Sequence, residues 1–510
     1  MRYLLLLSIF AINAVPAFSQ VEVKEKIFSS NLQDTVYYNV FLPVNSQTES
    51  GMPTLYAIKY GMIEGSYIAA QLRYFQDANY PIPKTIVVTI QADMDRTGFS
   101  YKTGLLTNTG SKFMACLKDE IIPAVEKKYH TSSFRTYLGH SYSASYASYM
   151  MQHNPELFRG YILLATEEVG FDPSLPASSP SRQKTQSSFH LNKDDVNFYN
   201  NTTTLCYAAT GIYDENRRKN YVQELLSHFS SIDSGHFISK YDSIPRGDHT
   251  NILTTAIQPA LEFIYQLYDP LYESEQESVR NTWDLFLKAK ERIMDVYGIS
   301  SVKNFNWYRQ LLQQAAMDKD TNSLTKIYSC LDTGNLKAFQ VLRVATLYAN
   351  TGSTDRAKQY YQQTIGSILA RHIGELNDVP TLDAAYQGMA LNVYKNNPDL
   401  AWGYLQKSID LVSIPNQFSA SNIDTYFTVG DFAVSNNYKV ETGLQYLLKY
   451  LKLRVDVNDA LHFPYYRIYY KIAEGYYHLN KQDKAREFIK KSLSVRNDFQ
   501  PAKDLMDKLK

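Results

Sequence analysis

At 510 residues the chain is too long for one ordinary hydrophobic core, and roughly 100–200 residues per domain predicts two or three domains. Lys and Arg total 52 against 51 Asp and Glu, with no basic stripe, which argues against nucleic-acid binding. The scattered cysteines Cys116, Cys206 and Cys330 exclude a disulfide framework, and the apolar surroundings of Cys206 predict a buried role.

The first segment is expected to be a targeting signal. Met1-Arg2 supplies a positive start, 4–12 an apolar run, and Ala17 and Ser19 the small residues of a cleavage site. Residues 1–19 therefore read as a secretory signal peptide, and the mature chain as periplasmic or secreted. The run is too short to span a bilayer, no cysteine follows it for a lipid anchor, and no later segment approaches about 18 apolar residues. No membrane span is expected.

Residues 20–272 alternate short β-rich runs with helical stretches. An initial antiparallel pair is predicted at 21–27 and 35–42. Further strands are predicted at 54–60, 85–91, 136–138, 160–165, 205–210 and 237–242. Most are continuous apolar runs, as in strands buried on both faces. Among the intervening helices, 112–128 carries Phe113, Leu117, Ile121 and Val125 at four-residue steps, and 252–268 follows the last strand. The alternation predicts an α/β fold with a mostly parallel central sheet.

From the polar segment at 273–278 onward the β signal disappears, and 273–510 reads as an all-α domain of helical hairpins. Ala345, Tyr348, Ala357 and Tyr361 have the same offsets as Ala473, Tyr476, Ala485 and Ile489. Small and large residues in that order are the positions at which tetratricopeptide-type helices pack closely. Residues 391–411 offer a third, degenerate unit; the competing reading is a generic helical bundle. Such hairpins commonly bind a peptide or protein, or pack on a neighbouring domain.

Acyl transfer needs an exposed nucleophile, a base, a group orienting that base, and donors for the oxyanion. The segment Gly139-His140-Ser141-Tyr142-Ser143 lies between the strand at 136–138 and a helix starting at Ala144, a sharp turn suited to a nucleophilic Ser141. The alternative for Ser141 is an ordinary helix N-cap. His249 follows the last strand on a loop able to reach the carboxyl edge of the sheet, where ligands of open α/β sheets bind. His140 adjoins the serine but is expected to point away from it. His130, His153 and His228 fall on helices or their ends, and His236 opens a strand at the opposite edge. For the acid, the loop after 205–210 offers Asp214 first and Glu215 second, while Asp248, next to the histidine, is poorly placed to turn back onto its ring. The order Ser141, Asp214, His249 is the α/β-hydrolase order. The oxyanion hole is expected from the backbone N–H of Tyr142 and from Gly61-Met62, although Gly61 fits a simple turn glycine equally well.

Residues 24–270 resemble the bacterial putative esterase family, related to S-formylglutathione hydrolase, feruloyl esterases and siderophore esterases. The resemblance rests on the strand from Pro53 to Gly61, on Ile86-Val87-Val88 through Asp95-Arg96, and on Phe113 to Tyr129 with Glu120-Ile121-Ile122-Pro123. It continues through Arg135 to Ser141 and from Asn154-Pro155-Glu156-Leu157-Phe158 into the strand at 160–165. It implies an α/β-hydrolase fold, serine esterase activity and no cofactor or metal. Ser141 matches the family nucleophile, His249 its histidine, and Asp214 the place of its acid. Two positions depart: Ser143 replaces a usual glycine, and Thr166-Glu167-Glu168 replaces a frequent Ser-Pro-Ser. The implied substrate is a small-molecule or carbohydrate-linked ester, a siderophore ester or a small thioester. The Ser/Pro-rich stretch 173–188 is either a lid or a surface insertion. The competing function is a binding or scaffolding protein whose helical domain does the work and whose hydrolase domain is weak or inactive.

Overall fold

The computed structural model describes residues 21–44, 46, 51–59, 63–78, 80–92, 98, 100, 105–169, 193–230, 232, 235–274, 281–371, 373–374, 377–413, 420–456 and 464–509. The predicted leader, Gly61-Met62, Asp95-Arg96 and the 173–188 stretch lie outside them. The chain forms two compact units, one of residues up to 280 with 284–310, the other of 281–283 and 311–510.

The first unit is built on one eight-stranded sheet. Strands β1 (Val21–Ser29) and β2 (Asp34–Leu42) pair antiparallel, as expected. The chain continues through β3 (Met52–Ile58), β4 (Ile86–Gln91), β5 (Thr131–His140), β6 (Gly160–Leu164), β7 (Thr204–Gly211) and β8 (Phe237–Ile244). Across the sheet the order is β1-β2-β4-β3-β5-β6-β7-β8. The β2–β4 pairing is antiparallel, and every pairing from β4 onward is parallel. The fold is thus α/β with a mostly parallel sheet, in keeping with the sequence reading.

Both faces of the central strands β3, β4, β6 and β7 are covered, which is why these read as unbroken apolar runs, whereas the edge strands β1 and β8 are mostly exposed or half-buried. The helices of this part are α1 (Gly65–Asp77), α2 (Asn108–Cys116), α3 (Ile122–Tyr129), α4 (Tyr142–His153), α5 (Lys193–Asn201), α6 (Asn216–Ser230) and α7 (Ile252–Ile264). One parity of strand side chains, including Tyr56, Val88, Tyr137, Tyr161, Leu163 and Cys206, packs against Phe113, Leu117, Tyr146, Met150, Tyr199, Val222 and Leu225. These partners come from α2, α4, α5, α6 and the turn between α2 and α3. The other parity, including Leu55, Val87, Leu138, Ile162 and Leu205, is equally buried, beneath α1 and α7.

Two elements differ from the expected outline. The helix expected at 112–128 is interrupted by a π-helical turn, Leu117–Ile121. Pro123 lies just beyond it and has no N–H to donate, so a helical ladder cannot run through regularly. Strand β5 starts at Thr131, five residues before the apolar run at 136–138, because Ser132 and Phe134 are buried while Ser133 faces solvent. Its first half therefore alternates in a way a search for continuous apolar runs misses. Residues 284–310 complete the unit, from α8 (Thr282–Tyr297) and the start of α9 (Phe305–Met317). Tyr297 donates to the Ile264 carbonyl (2.8 Å), Trp307 Nε1 to that of Tyr268 (2.9 Å), and the Tyr297 ring meets Phe134 edge-on at 4.7 Å.

The second unit is all helix. After α10 (Thr321–Ser329), helices α11 (Ala338–Asn350) and α12 (Thr354–Ala370) pair, as do α13 (Asp378–Gly388) and α14 (Pro398–Val412). So do α15 (Ala420–Ser435) with α16 (Val440–Asp456), and α17 (Tyr465–His478) with α18 (Gln482–Val495); α19 (Gln500–Asp507) follows. All eight residues of the predicted repeat offsets are buried. The third unit suggested at 391–411 is in fact a pair starting at Asp378, with a π-helical turn at Met389–Val393. No helix among the described residues is long and apolar enough to cross a membrane.

Candidate active site

The three candidate side chains occupy the carboxyl ends of three parallel strands. Ser141 follows β5, Asp214 follows β7, and His249 lies between β8 and α7. Parallel pairing delivers all three loops to the same edge of the sheet.

Ser141 sits at φ 57° and ψ −124°, a region costly for a residue with a side chain. The turn is held by the Ser141 N–H to the Leu164 carbonyl (2.9 Å) and by the Ser141 carbonyl, which accepts from Ala144 N (3.0 Å). Gly139 is required there: a Cβ would stand 2.5 Å from the Cα of Ala144. Position 143 is different. The buried Ser143 hydroxyl accepts from the His140 N–H and donates to the His140 carbonyl, both at 2.8 Å. Serine in place of the usual glycine thus ties the strand end to the first turn of α4.

His249 Nε2 stands 3.2 Å from Ser141 Oγ, within hydrogen-bond reach. Its Nδ1 faces Asp214 Oδ2 at 3.7 Å, and both atoms are buried without another partner. At 3.7 Å this is a facing pair rather than a formed hydrogen bond, and such contacts shorten in catalytic complexes. The loops after β7 and β8 are clamped together: Tyr213 N–H donates to the Gly247 carbonyl (3.0 Å), and a Cβ on Gly211 would collide with the Gly247 backbone.

Asp214 is almost wholly buried, at 1% side-chain exposure, whereas Glu215 is 58% exposed. Asp214 Oδ1 accepts from Arg218 Nη1 (2.7 Å) and from the Glu215 N–H (2.8 Å). Burial by itself would raise the carboxyl pKa. The facing His249 ring, Arg218 and the Glu215 amide outweigh it and hold the value at about 2. Asp248 is turned the other way, accepting from Thr250 N and Oγ1 and from Asn251 N at the start of α7. Tyr142 opens α4, where backbone N–H groups point out of the helix end.

Three further residues join the site. His140 does not stand apart from it: its Nε2 lies 2.7 Å from the His249 carbonyl, and the two rings are 4.9 Å apart. A carbonyl only accepts, so Nε2 carries the proton, and burial first of all pushes the His140 pKa down and favours the neutral ring. Glu167 and Arg218 form a buried ion pair behind Asp214. The substitution of Ser-Pro-Ser by Thr166-Glu167-Glu168 was the visible signal for Glu167. For Arg218 the signal was its place four residues after Asp214 at the start of a helix.

A cavity of about 350 Å³ lined by Gly51, Met52, Lys84, Tyr268 and Asn304 opens at the amino ends of β3 and β4, the edge opposite Ser141. The chemistry-bearing side chains, not that cavity, mark the candidate site. Among the described residues no group of His, Cys, Asp or Glu is arranged to hold a metal ion.

Residues 29–229 match the family described as Putative esterase, and 466–499 match a tetratricopeptide repeat. No curated protein is significantly similar to the chain. Among solved structures it is similar to an IroE-like serine hydrolase from Shewanella oneidensis, with 15% identity and a TM-score of 0.45 over 61% of this chain and 98% of that one. It is also similar to an S-formylglutathione hydrolase from Agrobacterium tumefaciens, at 13%, 0.33, 49% and 97% respectively. A feruloyl esterase module from Clostridium thermocellum gives 17%, 0.34, 49% and 89%. The first half of the chain thus resembles the putative esterase family, and the family match supports an ester hydrolase.

Proposed function

We propose that the chain is an exported serine carboxylic-ester hydrolase working through Ser141, His249 and Asp214. The observation that carries the reading is the 3.2 Å approach of His249 Nε2 to Ser141 Oγ, on a serine held at φ 57°. His249 takes the Ser141 hydroxyl proton as the oxygen attacks the ester carbonyl carbon, and the carbonyl electron pair moves onto oxygen. The oxyanion then collapses, the C–O bond to the alcohol breaks, and His249 returns the proton to the departing oxygen. Water repeats the sequence on the acyl-enzyme and releases the acid. Asp214 orients His249 through Nδ1 and stabilises the imidazolium. The N–H of Tyr142 is proposed as one oxyanion donor, with the second from Gly61 or Met62.

Export is proposed from the positive start, apolar run and small residues of 1–19. For the helical unit, the tetratricopeptide match supports a peptide or protein partner. The test is hydrolysis of p-nitrophenyl acetate together with labelling by a fluorophosphonate probe. Wild type is expected to hydrolyse the ester and to carry the probe on Ser141, and Ser141→Ala to do neither. An inactive wild type that the probe leaves unlabelled would sink the enzyme reading and favour the binding-module alternative.

A further inference from the structure

Behind the candidate triad runs a chain of buried charges. Arg218, on the first turn of α6, donates from Nε to Glu167 Oε2 (2.8 Å) and from Nη1 to Asp214 Oδ1 (2.7 Å). Glu215 Oε1 lies 3.5 Å from the same Nη1, and Arg217 donates to both Glu167 and Glu215. The side chains of Glu167 and Asp214 are 4% and 1% exposed. A buried carboxylate is costly unless paired, and two of them without an intervening cation would repel one another.

Glu167 is also stitched to the nucleophile turn. Its carbonyl accepts from Ser145 Oγ (2.8 Å), and its N–H reaches the Ser141 carbonyl at 3.4 Å. One residue on the loop after β6 is therefore bonded through its backbone to the loop after β5. Its carboxylate is bonded through Arg218 to the loop after β7. These bonds have a directional consequence. Asp214 Oδ1 is occupied by Arg218 and the Glu215 N–H, which leaves Oδ2 as the oxygen that faces His249 Nδ1.

We propose that Arg218, braced by Glu167, is a positioning residue for ester hydrolysis: it fixes the Asp214 carboxylate so that Oδ2 meets His249 Nδ1. The proposal rests on the reading of Ser141 as nucleophile. It gives the Glu167 departure a role, because a proline in that place has no carboxylate to brace the guanidinium.

The test uses the full chain and p-nitrophenyl acetate, with kcat and KM measured across pH for R218M, E167Q and the double variant. Partners that orient metal-binding histidines are typically worth about 10- to 100-fold, and on the same orienting logic R218M is expected to lose about that much in kcat with KM unchanged. Its acid limb should move to higher pH, because Asp214 loses its cation while His249, His140, Glu215 and Glu167 remain around it. E167Q should lose less, and the double variant should recover activity relative to R218M, since the Glu167 carboxylate, still paired with Arg217 in R218M, no longer sets a second buried negative charge against Asp214. Guanidinium ion added to R218A should restore part of the rate. A wild-type kcat and pH profile in folded R218M overturns the proposal, as does a double variant no better than R218M. If R218M fails to fold, R218K decides. It keeps the charge but not the two-pronged reach, so a wild-type kcat counts against the proposal and a lowered kcat with an unmoved acid limb supports it. S141A is run alongside. Retained hydrolysis there defeats the nucleophile assignment itself, whereas abolished hydrolysis with indifferent Arg218 variants defeats only this inference.

Discussion

Replacing Ser143 by the glycine usual in the resembling family should damage this protein rather than improve it. Its hydroxyl is wholly buried and makes two hydrogen bonds, from the His140 N–H and to the His140 carbonyl, each at 2.8 Å. A typical net contribution of about 1 kcal/mol per bond gives roughly 2 kcal/mol lost in Ser143→Ala. Glycine adds about 0.5–1 kcal/mol of backbone entropy on α4, for a total near 3 kcal/mol in Ser143→Gly. For a unit of this size that corresponds to a fall in melting temperature of roughly 5–10 °C. The loss should extend to kcat, because the same turn holds Ser141 at its costly φ of 57°. Thermal melting followed by circular dichroism, with p-nitrophenyl acetate turnover below the transition, measures both. A Ser143→Gly protein that melts at or above the wild-type temperature with full turnover would show that the hydroxyl does not tie the turn.

Asp214→Asn should lower kcat by up to about 10⁴-fold if the carboxylate orients His249 as in serine hydrolases generally, whereas Glu215→Gln should keep most of the rate. Equal effects in the p-nitrophenyl acetate assay would contradict the division of roles drawn from their exposure. Because the Asp214 pKa is lowered from 3.8 to about 2, its ionisation stabilises the fold above pH 4, and that contribution is lost as pH falls from about 4 to 2. Acid titration of wild type against Asp214→Asn should show their stability difference fading in that window, and a difference constant down to about pH 2 would refute it. In the helical unit Asp383 behaves oppositely. Burial raises its carboxyl pKa although Thr425 and Gln387 donate to Oδ2, so the ionised form disfavours folding. Asp383→Asn keeps an acceptor for those donors and should raise the melting temperature at pH 7, with the gain shrinking toward about pH 4. No gain at neutral pH would count against the reading.

The features legible in the sequence were those decided by local backbone and one-dimensional periodicity. Strands β3, β4, β6 and β7 were visible because strands covered on both faces have no polar parity to break the apolar runs. The loops of Ser141, Asp214 and His249 followed from the same pattern, since each lies just beyond a strand end. The α15–α16 pair was not singled out, and its burial explains why. On α15, Ile423, Thr425, Tyr426, Val429, Phe432, Ala433 and Val434 are all buried, so the helix has no single apolar stripe.

What escaped was side-chain reach between distant segments. Glu167 was conspicuous as a departure, yet its partner Arg218 lies 51 positions away and no periodicity connects them. His140 was expected to point away from Ser141, and that expectation left out the contact its ring makes with the His249 carbonyl. The choice between Asp214 and Glu215 had the same origin. Adjacent acidic residues on one loop are equivalent in sequence, and only the loop's path, pinned by Tyr213 N–H to the Gly247 carbonyl, turns one inward and the other out. A buried carboxylate stays charged when cations or N–H donors hold its oxygens, and Asp214 Oδ1 has both, from Arg218 and from the Glu215 N–H. An acid–arginine spacing in the sequence does not separate the two acids, since Arg218 stands four residues after Asp214 and three after Glu215; the burial of one and the exposure of the other does.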